Sequence, residues 1–179
     1  MPKERILPYV ILGLVHQHKK LSGRDISHQF KNEIGNFWRS SHSQVYPELK
    51  RMLEEEWLVQ HRVPHNDKEK YYTMTEAGEA ELAQWLQAPI LEAPVQKDMF
   101  SLKMFFIKDR EDPRLWTMLQ EERQLLEDNL TRLKAREAFL FSKEEDIQEN
   151  FGHYLILTRA IDRVSGQLAW ITDCIQRLQ

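Results

Sequence analysis

A single cysteine, Cys174, stands among the 179 residues. It excludes an intramolecular disulfide and fits a reducing compartment, so the cytoplasm is the expected location. No run of about 18 apolar residues occurs, and no segment reads as a membrane span. The apolar stretch near the N-terminus is followed by His16, His18, Lys19 and Lys20 rather than by small residues, so it reads as no signal peptide. The patterns HExxH, GxxxxGK[S/T], GxSxG and CxxC are all missing, which argues against catalysis and against a bound cofactor. The pairs His16 and His18, and His61 and His65, are flanked by Lys and Arg and lack a completing carboxylate or thiolate set, so they read as solvated and no metal site is expected. An excess of positive charge is missing too. The net charge is −3, and residues 1–86 balance 12 basic against 12 acidic side chains. Overall charge therefore gives no support to a nucleic-acid partner, and any basic surface must come from local placement.

The stretch from Ser41 to Glu79 carries the functional signal. Val45, Leu49, Met52 and Leu53 recur at helical spacing and give one face to bury. The opposite face presents Ser43, Gln44, Tyr46 and Lys50, with Arg51 beside them. Trp57 to Val63 and Lys70 to Met74 read as strands around the turn-forming His65, Asn66 and Asp67. Thr75 followed by Glu76 is an N-cap with an acidic first turn for a helix to about Leu86. A polar-faced helix followed by a basic-tipped hairpin is the shape of a winged helix-turn-helix. Upstream, Ile6 to His18 predicts a first helix, and Ser22 caps a second containing Ile26, Phe30 and Ile34, with Gly35 as its stop. Pro47 conflicts with the third helix, which must begin late or bend.

Residues 87–95 hold two prolines and no periodicity, so they separate a DNA-binding domain, 1–88, from a helical domain, 89–179. In the second, a helix over 97–107 precedes a long one from Arg114 to Phe141, with Leu119, Leu126, Leu133 and Leu140 every seven residues. A capped start falls near Ser142. Tyr154, Leu157, Ile161, Val164, Leu168, Ile171, Ile175 and Leu178 then alternate spacings of three and four, the seam of a coiled coil or helical hairpin. Two narrow stripes in one small chain invite cover from a second copy, which predicts a homodimer through the C-terminal helices; the alternative is that the two helices simply cover each other. The fold class expected is mainly α with a small β-hairpin wing: an N-terminal winged helix-turn-helix plus a C-terminal helical dimerisation domain. An adaptor that used the wing domain for protein contacts would need an apolar outer face on the third helix, and the polar face disfavours it.

Tyr46-Pro47-Glu48-Leu49, Tyr72-Thr73-Met74-Thr75 and Gly78 resemble the PadR family of bacterial transcriptional regulators. Gly35-Asn36-Phe37-Trp38, His42-Ser43-Gln44, Lys97-Asp98 with Phe100, and Phe151-Gly152-His153-Tyr154-Leu155 are similar to its long-tailed subgroup, which includes the phenolic-acid decarboxylase repressor. The resemblance covers nearly the whole chain. It implies a dimer on a palindromic double-stranded operator, released when a hydroxycinnamate such as p-coumarate binds between the domains. In that frame Ser43, Gln44, Tyr46 and Lys50 reach bases or phosphates in the major groove, Arg51 meets phosphate, and Lys68 and Lys70 contact the backbone or minor groove. A flat phenolic acid needs apolar walls and a cationic or polar handle. Phe37, Phe100, Met104 and Phe151 are candidate walls, and His153, Lys97 and Arg24 candidate handles. Two positions depart from the family pattern: Trp57 stands where Gly is common, and Arg24 where Tyr is usual. The first removes conformational freedom worth about 1 kcal/mol wherever a left-handed backbone is needed.

Overall fold

The structure, a computed structural model, describes residues 5–30, 42–63, 66–91 and 98–178. The chain divides into two compact units, Met1–Ala93 and Pro94–Gln179. The first opens with α1 (Leu7–His18), with Pro8 in its first turn, where a missing N–H costs nothing. A two-residue strand, β1 (Leu21–Ser22), follows, and then α2 (Gly23–Gln29). β1 is too short to leave a periodic trace in sequence. Ser22 does cap α2: its hydroxyl accepts from the Asp25 N–H at 3.1 Å, and the Asp25 carboxylate accepts from the Ser22 N–H at 3.2 Å. The expected continuation through Ile34 to Gly35 lies outside the described residues.

The third helix, α3 (His42–Glu54), runs through Pro47 and does not begin after it. Pro47 sits on the exposed side, where water can serve the carbonyl left without its usual donor. Glu56 then takes the left-handed conformation, with φ 59°. Trp57 therefore meets no such demand. It packs instead, its ring 6.2 Å from that of Tyr9. β2 (Leu58–Val63) and β3 (Asn66–Met74) form the wing. β3 starts earlier than its Thr and aromatic content suggested, because pairing of Val63 with Asn66 across a bulge extends the ladder. The antiparallel sheet has the order β1-β3-β2. α4 (Glu76–Gln87) closes the unit over a core of Ile11, Leu12, Val15, Ile26, Val45, Leu49, Met52 and Leu58.

The second unit contains α5 (Met99–Phe105), α6 (Pro113–Leu140), α7 (Glu144–Glu149) and α8 (Phe151–Leu178). The start near Ser142 belongs to α7, a separate short helix in which the Asp146 carboxylate accepts from the Lys143 N–H at 3.0 Å. α6 and α8 pack along their seams, so that Leu119, Leu126, Val164, Ile171 and Ile175 form a buried cluster. This corrects the reason given for a partner chain. The two stripes cover each other within one chain, because α6 and α8 are both 28 residues long and pair along their lengths. What stays uncovered is a different set: Leu125, Phe139, Leu155, Ile156 and Trp170 on α6 and α8, and Met99, Leu102 and Phe105 on α5. Among the described residues no helix is long and apolar enough to cross a membrane.

Candidate nucleic-acid interface

α3 buries Val45, Leu49 and Met52 completely or nearly so, which turns its other face outward. Gln44 is exposed there and Tyr46 is 44% exposed. The Lys50 and Arg51 side chains are 81% and 57% exposed, respectively. Lys50 approaches Glu54 at 3.7 Å, a weak one-turn pair that a phosphate can displace. Ser43 and Lys68 fall on α3 and β3, with side chains outside the described residues. Lys70 is exposed on β3, opposite exposed Arg62 of β2. The sequence reading missed Arg62, and cross-strand pairing was the only signal that pointed to it.

Three contacts hold this polar helix in place. At its first turns, the Tyr46 ring lies over Gly23 at the start of α2, where a Cβ would stand 2.8 Å from Tyr46 Cε1. The glycine lets the two helices approach. The same ring neighbours Tyr72, whose phenol is pushed above its ordinary value by burial first and by Tyr46 second. At the other end, Thr75 ties the turn after α3 to the start of α4. Its hydroxyl donates to the Glu56 carbonyl at 2.7 Å and accepts from the Gly78 N–H at 3.0 Å, while its N–H donates to the Trp57 carbonyl at 3.1 Å. A Cβ on Gly78 would fall 2.3 Å from that carbonyl oxygen. The Tyr-x-x-Thr-x-x-Gly motif is thus a knot that fixes the helix end against the wing. Along the flank, Arg5 bonds the buried Glu48 and the turn residue Glu55. Sequence reasoning assigned Arg5 and Glu48 no role.

A second cluster lies on the outer sheet face. The His61 ring stacks 5.0 Å from Tyr71 and shares a 2.8 Å hydrogen bond with the Thr73 hydroxyl, while Lys20 Nζ stands 5.3 Å from the Tyr71 centroid. This arrangement places a cation of the α1–β1 turn beside the wing.

Among the described residues of the second unit, those named for a small acid fall in two places. Phe37 and Lys97 lie outside the described residues. Arg24 is exposed in the first turn of α2. Phe100 and Met104 pack on the α6–α8 cluster, with Phe100 edge-on to Trp170 at 6.5 Å. His153 lies instead against Phe141 at 5.4 Å, near Tyr154. Seventeen residues of continuous helix separate His153 from Trp170, about 25 Å at 1.5 Å per residue. No single hydroxycinnamate touches both groups within one chain.

Fold and surface together define a winged helix-turn-helix joined to an α-helical tail, a class built to present one polar helix and one hairpin to duplex DNA. The family description "Transcriptional regulator PadR-like family" matches residues 11–84, and "Virulence activator alpha C-term" matches residues 96–179. The negative transcriptional regulator PadR of Bacillus subtilis (strain 168) is 36% identical over 178 residues, 96% of either chain. The crystal structure of B. subtilis PadR in complex with operator DNA superposes with a TM-score of 0.84, at 33% identity over 98% of this chain and 100% of that one. Its complex with p-coumaric acid gives the same TM-score at 32% identity, over 97% and 99% of the two chains. The chain belongs to the PadR-like family of transcriptional regulators. It is a DNA-binding regulator of transcription and not an enzyme.

Proposed function

We propose that the chain is a repressor of phenolic-acid stress genes, such as those for decarboxylases, that binds a palindromic operator as a homodimer and leaves it when a hydroxycinnamate such as p-coumarate binds. One observation carries this reading: similarity along nearly the whole length to a repressor solved both with operator DNA and with p-coumaric acid. Gln44 is the base reader, able to pair two-fold with adenine, and Ser43 and Tyr46 lie on the same face. Lys50 and Arg51 neutralise phosphates, and Lys68 and Lys70 of the wing follow the backbone or minor groove. The uncovered apolar side chains of the helical unit, Leu125, Phe139, Leu155 and Ile156 among them, support a second copy as their cover.

For the effector, the aromatic group around His153 is the better-supported site. Phe141 and Tyr154 supply ring edges and the imidazole supplies a polar handle. Phe100 and Met104 serve packing in the same chain. A second reading keeps the family but makes the chain a regulator of other genes, such as those for virulence or drug response, with a different small-molecule effector or none. Arg24 favours it, since a cation replaces the family's usual Tyr at an exposed position.

The test is a mobility-shift titration on a duplex selected from a random pool by the wild-type protein, with and without a panel of phenolic acids. Release by p-coumarate is expected, and indifference to the whole panel favours the second reading. Gln44→Ala should weaken binding by about 1–3 kcal/mol at its contacted base pair. Calorimetry with p-coumarate on the wild type and His153→Ala should show loss of binding in the variant, and equal heats would clear His153 of the role.

A further inference from the structure

We infer that Arg5 is a positioning residue for the recognition helix, holding the Glu48 carboxylate so that the Arg51 guanidinium stays available to a DNA phosphate. The inference rests on Arg51 being a phosphate contact, as proposed above. Glu48 is 8% exposed although it lies on the helix that must face DNA. A carboxylate taken out of water needs hydrogen-bonded, charged partners, and the nearest supply decides which ones it uses. Arg5 supplies them. Its Nε donates to Glu48 Oε1 at 2.8 Å and its Nη2 donates to the same oxygen. The guanidinium also forks onto Glu55, Nη1 to Oε1 at 2.5 Å and Nη2 to Oε2 at 2.9 Å, with its carbon 5.6 Å from the Trp57 ring centroid. These bonds, Glu55 foremost and Glu48 after it, outweigh burial and hold the Arg5 pKa above its ordinary value.

Arg51, three residues after Glu48, meets the same carboxylate differently. Its Nη1 stands 3.8 Å from Oε2, too far for a hydrogen bond, and its side chain is mostly exposed. Both short bonds of Glu48 therefore go to Arg5. Helical spacing by itself favours pairing of Glu48 with Arg51. With Arg5 removed, the remaining ion pair of Glu48 among the described residues is the one to Arg51. The cost of a buried bare carboxylate then draws that guanidinium inward, and one positive charge leaves the DNA-facing surface. A lysine does not replace Arg5, because one ammonium cannot hold two carboxylates in a planar fork.

The experiment is the salt dependence of binding by the full chain to the selected duplex, for Arg51→Ala, Arg5→Met, Arg5→Lys and the double variant Arg5→Met with Glu48→Gln. Far-ultraviolet circular dichroism checks folding, and Arg5→Lys stands in if Arg5→Met does not fold. Each lost phosphate contact lowers the slope of log K against log salt by about 0.9. Arg51→Ala and Arg5→Met are both expected to lose that amount. The double variant is expected to regain the wild-type slope, since a neutral amide in place of the Glu48 carboxylate has no hold on Arg51. A loss of general stability alone would change affinity without moving the slope by one contact and without recovery in the double variant. An unchanged slope in Arg5→Met, or no recovery in the double variant, overturns the inference while leaving Arg51 as a contact. An unchanged slope in Arg51→Ala removes the contact itself and the clamp's purpose with it.

Discussion

The same chemical change, glycine to alanine in a helix, should have opposite signs at Gly13 and Gly78. In an ordinary helix interior the substitution stabilises by about 0.5–1 kcal/mol, through lost freedom of the unfolded chain. At Gly13 a Cβ meets nothing within 4 Å, so the full gain is expected. At Gly78 it would stand 2.3 Å from the Trp57 carbonyl oxygen, 2.9 Å from Met74 Cγ and 3.1 Å from the Trp57 carbonyl carbon. The nearest atom is backbone, so it cannot swing aside as a side chain would. Moving it stretches the 3.1 Å bond from the Thr75 N–H, which anchors the α4 cap. Overpacking of this kind costs about 1–3 kcal/mol, and a weakened hydrogen bond adds about 1 kcal/mol. After the helix gain is subtracted, Gly78→Ala should destabilise by about 2 kcal/mol. With a denaturant slope of roughly 2 kcal/mol per molar, the urea midpoint falls by about 1 M, whereas Gly13→Ala raises it slightly. A midpoint for Gly78→Ala at or above the wild type would refute the close approach and the knot built on it.

Ile171 is 1% exposed in the cluster between α6 and α8, so Ile171→Ala should cost about 2–5 kcal/mol in urea unfolding. A cost below about 1 kcal/mol would mean that the two helices do not share this seam. Asp112, the cap of α6, is held at about 2 by hydrogen bonds from the Arg114 side chain and backbone, against an ordinary 3.8. Its folded value is the lower one, so the contribution is whole above pH 4 and disappears as pH falls through about 2. Carboxyl NMR shifts should titrate Asp112 near pH 2, and a midpoint near 4 would show that the cap does not form.

The elements that could be read in advance were those with a local cause. Ser22, and Thr75 with Glu76, announce helix starts because capping needs a hydroxyl or carboxylate within a few residues. The α8 seam announces itself because burial repeats every half-heptad. What was hidden depended on partners distant in sequence. Whether that seam faces α6 or a second chain is the same pattern in sequence, and only the packing of Leu119 and Leu126 against Val164 and Ile171 decides it. The left-handed residue after α3 is Glu56, one position before the one that the family pattern indicated, since the turn is set by its tie to Thr75. Arg5 gave no signal because its partners lie 43 and 50 residues away.

These distant partners have a common purpose. A helix that reads bases must leave most of its polar face open, so that face contributes little to holding the helix in register. Readout nevertheless requires side chains placed to within about 0.5 Å. The holding must come from the other sides, and here it comes from three directions: Gly23 under Tyr46, the Thr75–Gly78 knot beyond Glu56, and Arg5 on Glu48 and Glu55. Gly23, Thr75, Gly78 and Arg5 do this without needing to touch DNA themselves. Of the four residues in Tyr46-Pro47-Glu48-Leu49, only Tyr46 and Pro47 face outward, while Glu48 and Leu49 are buried, so half of the motif that marks this helix serves its seating. With Gln44 as the base contact proposed above, substitutions at such positions should lower operator affinity by misplacing it, even where no atom of the substituted side chain reaches the duplex.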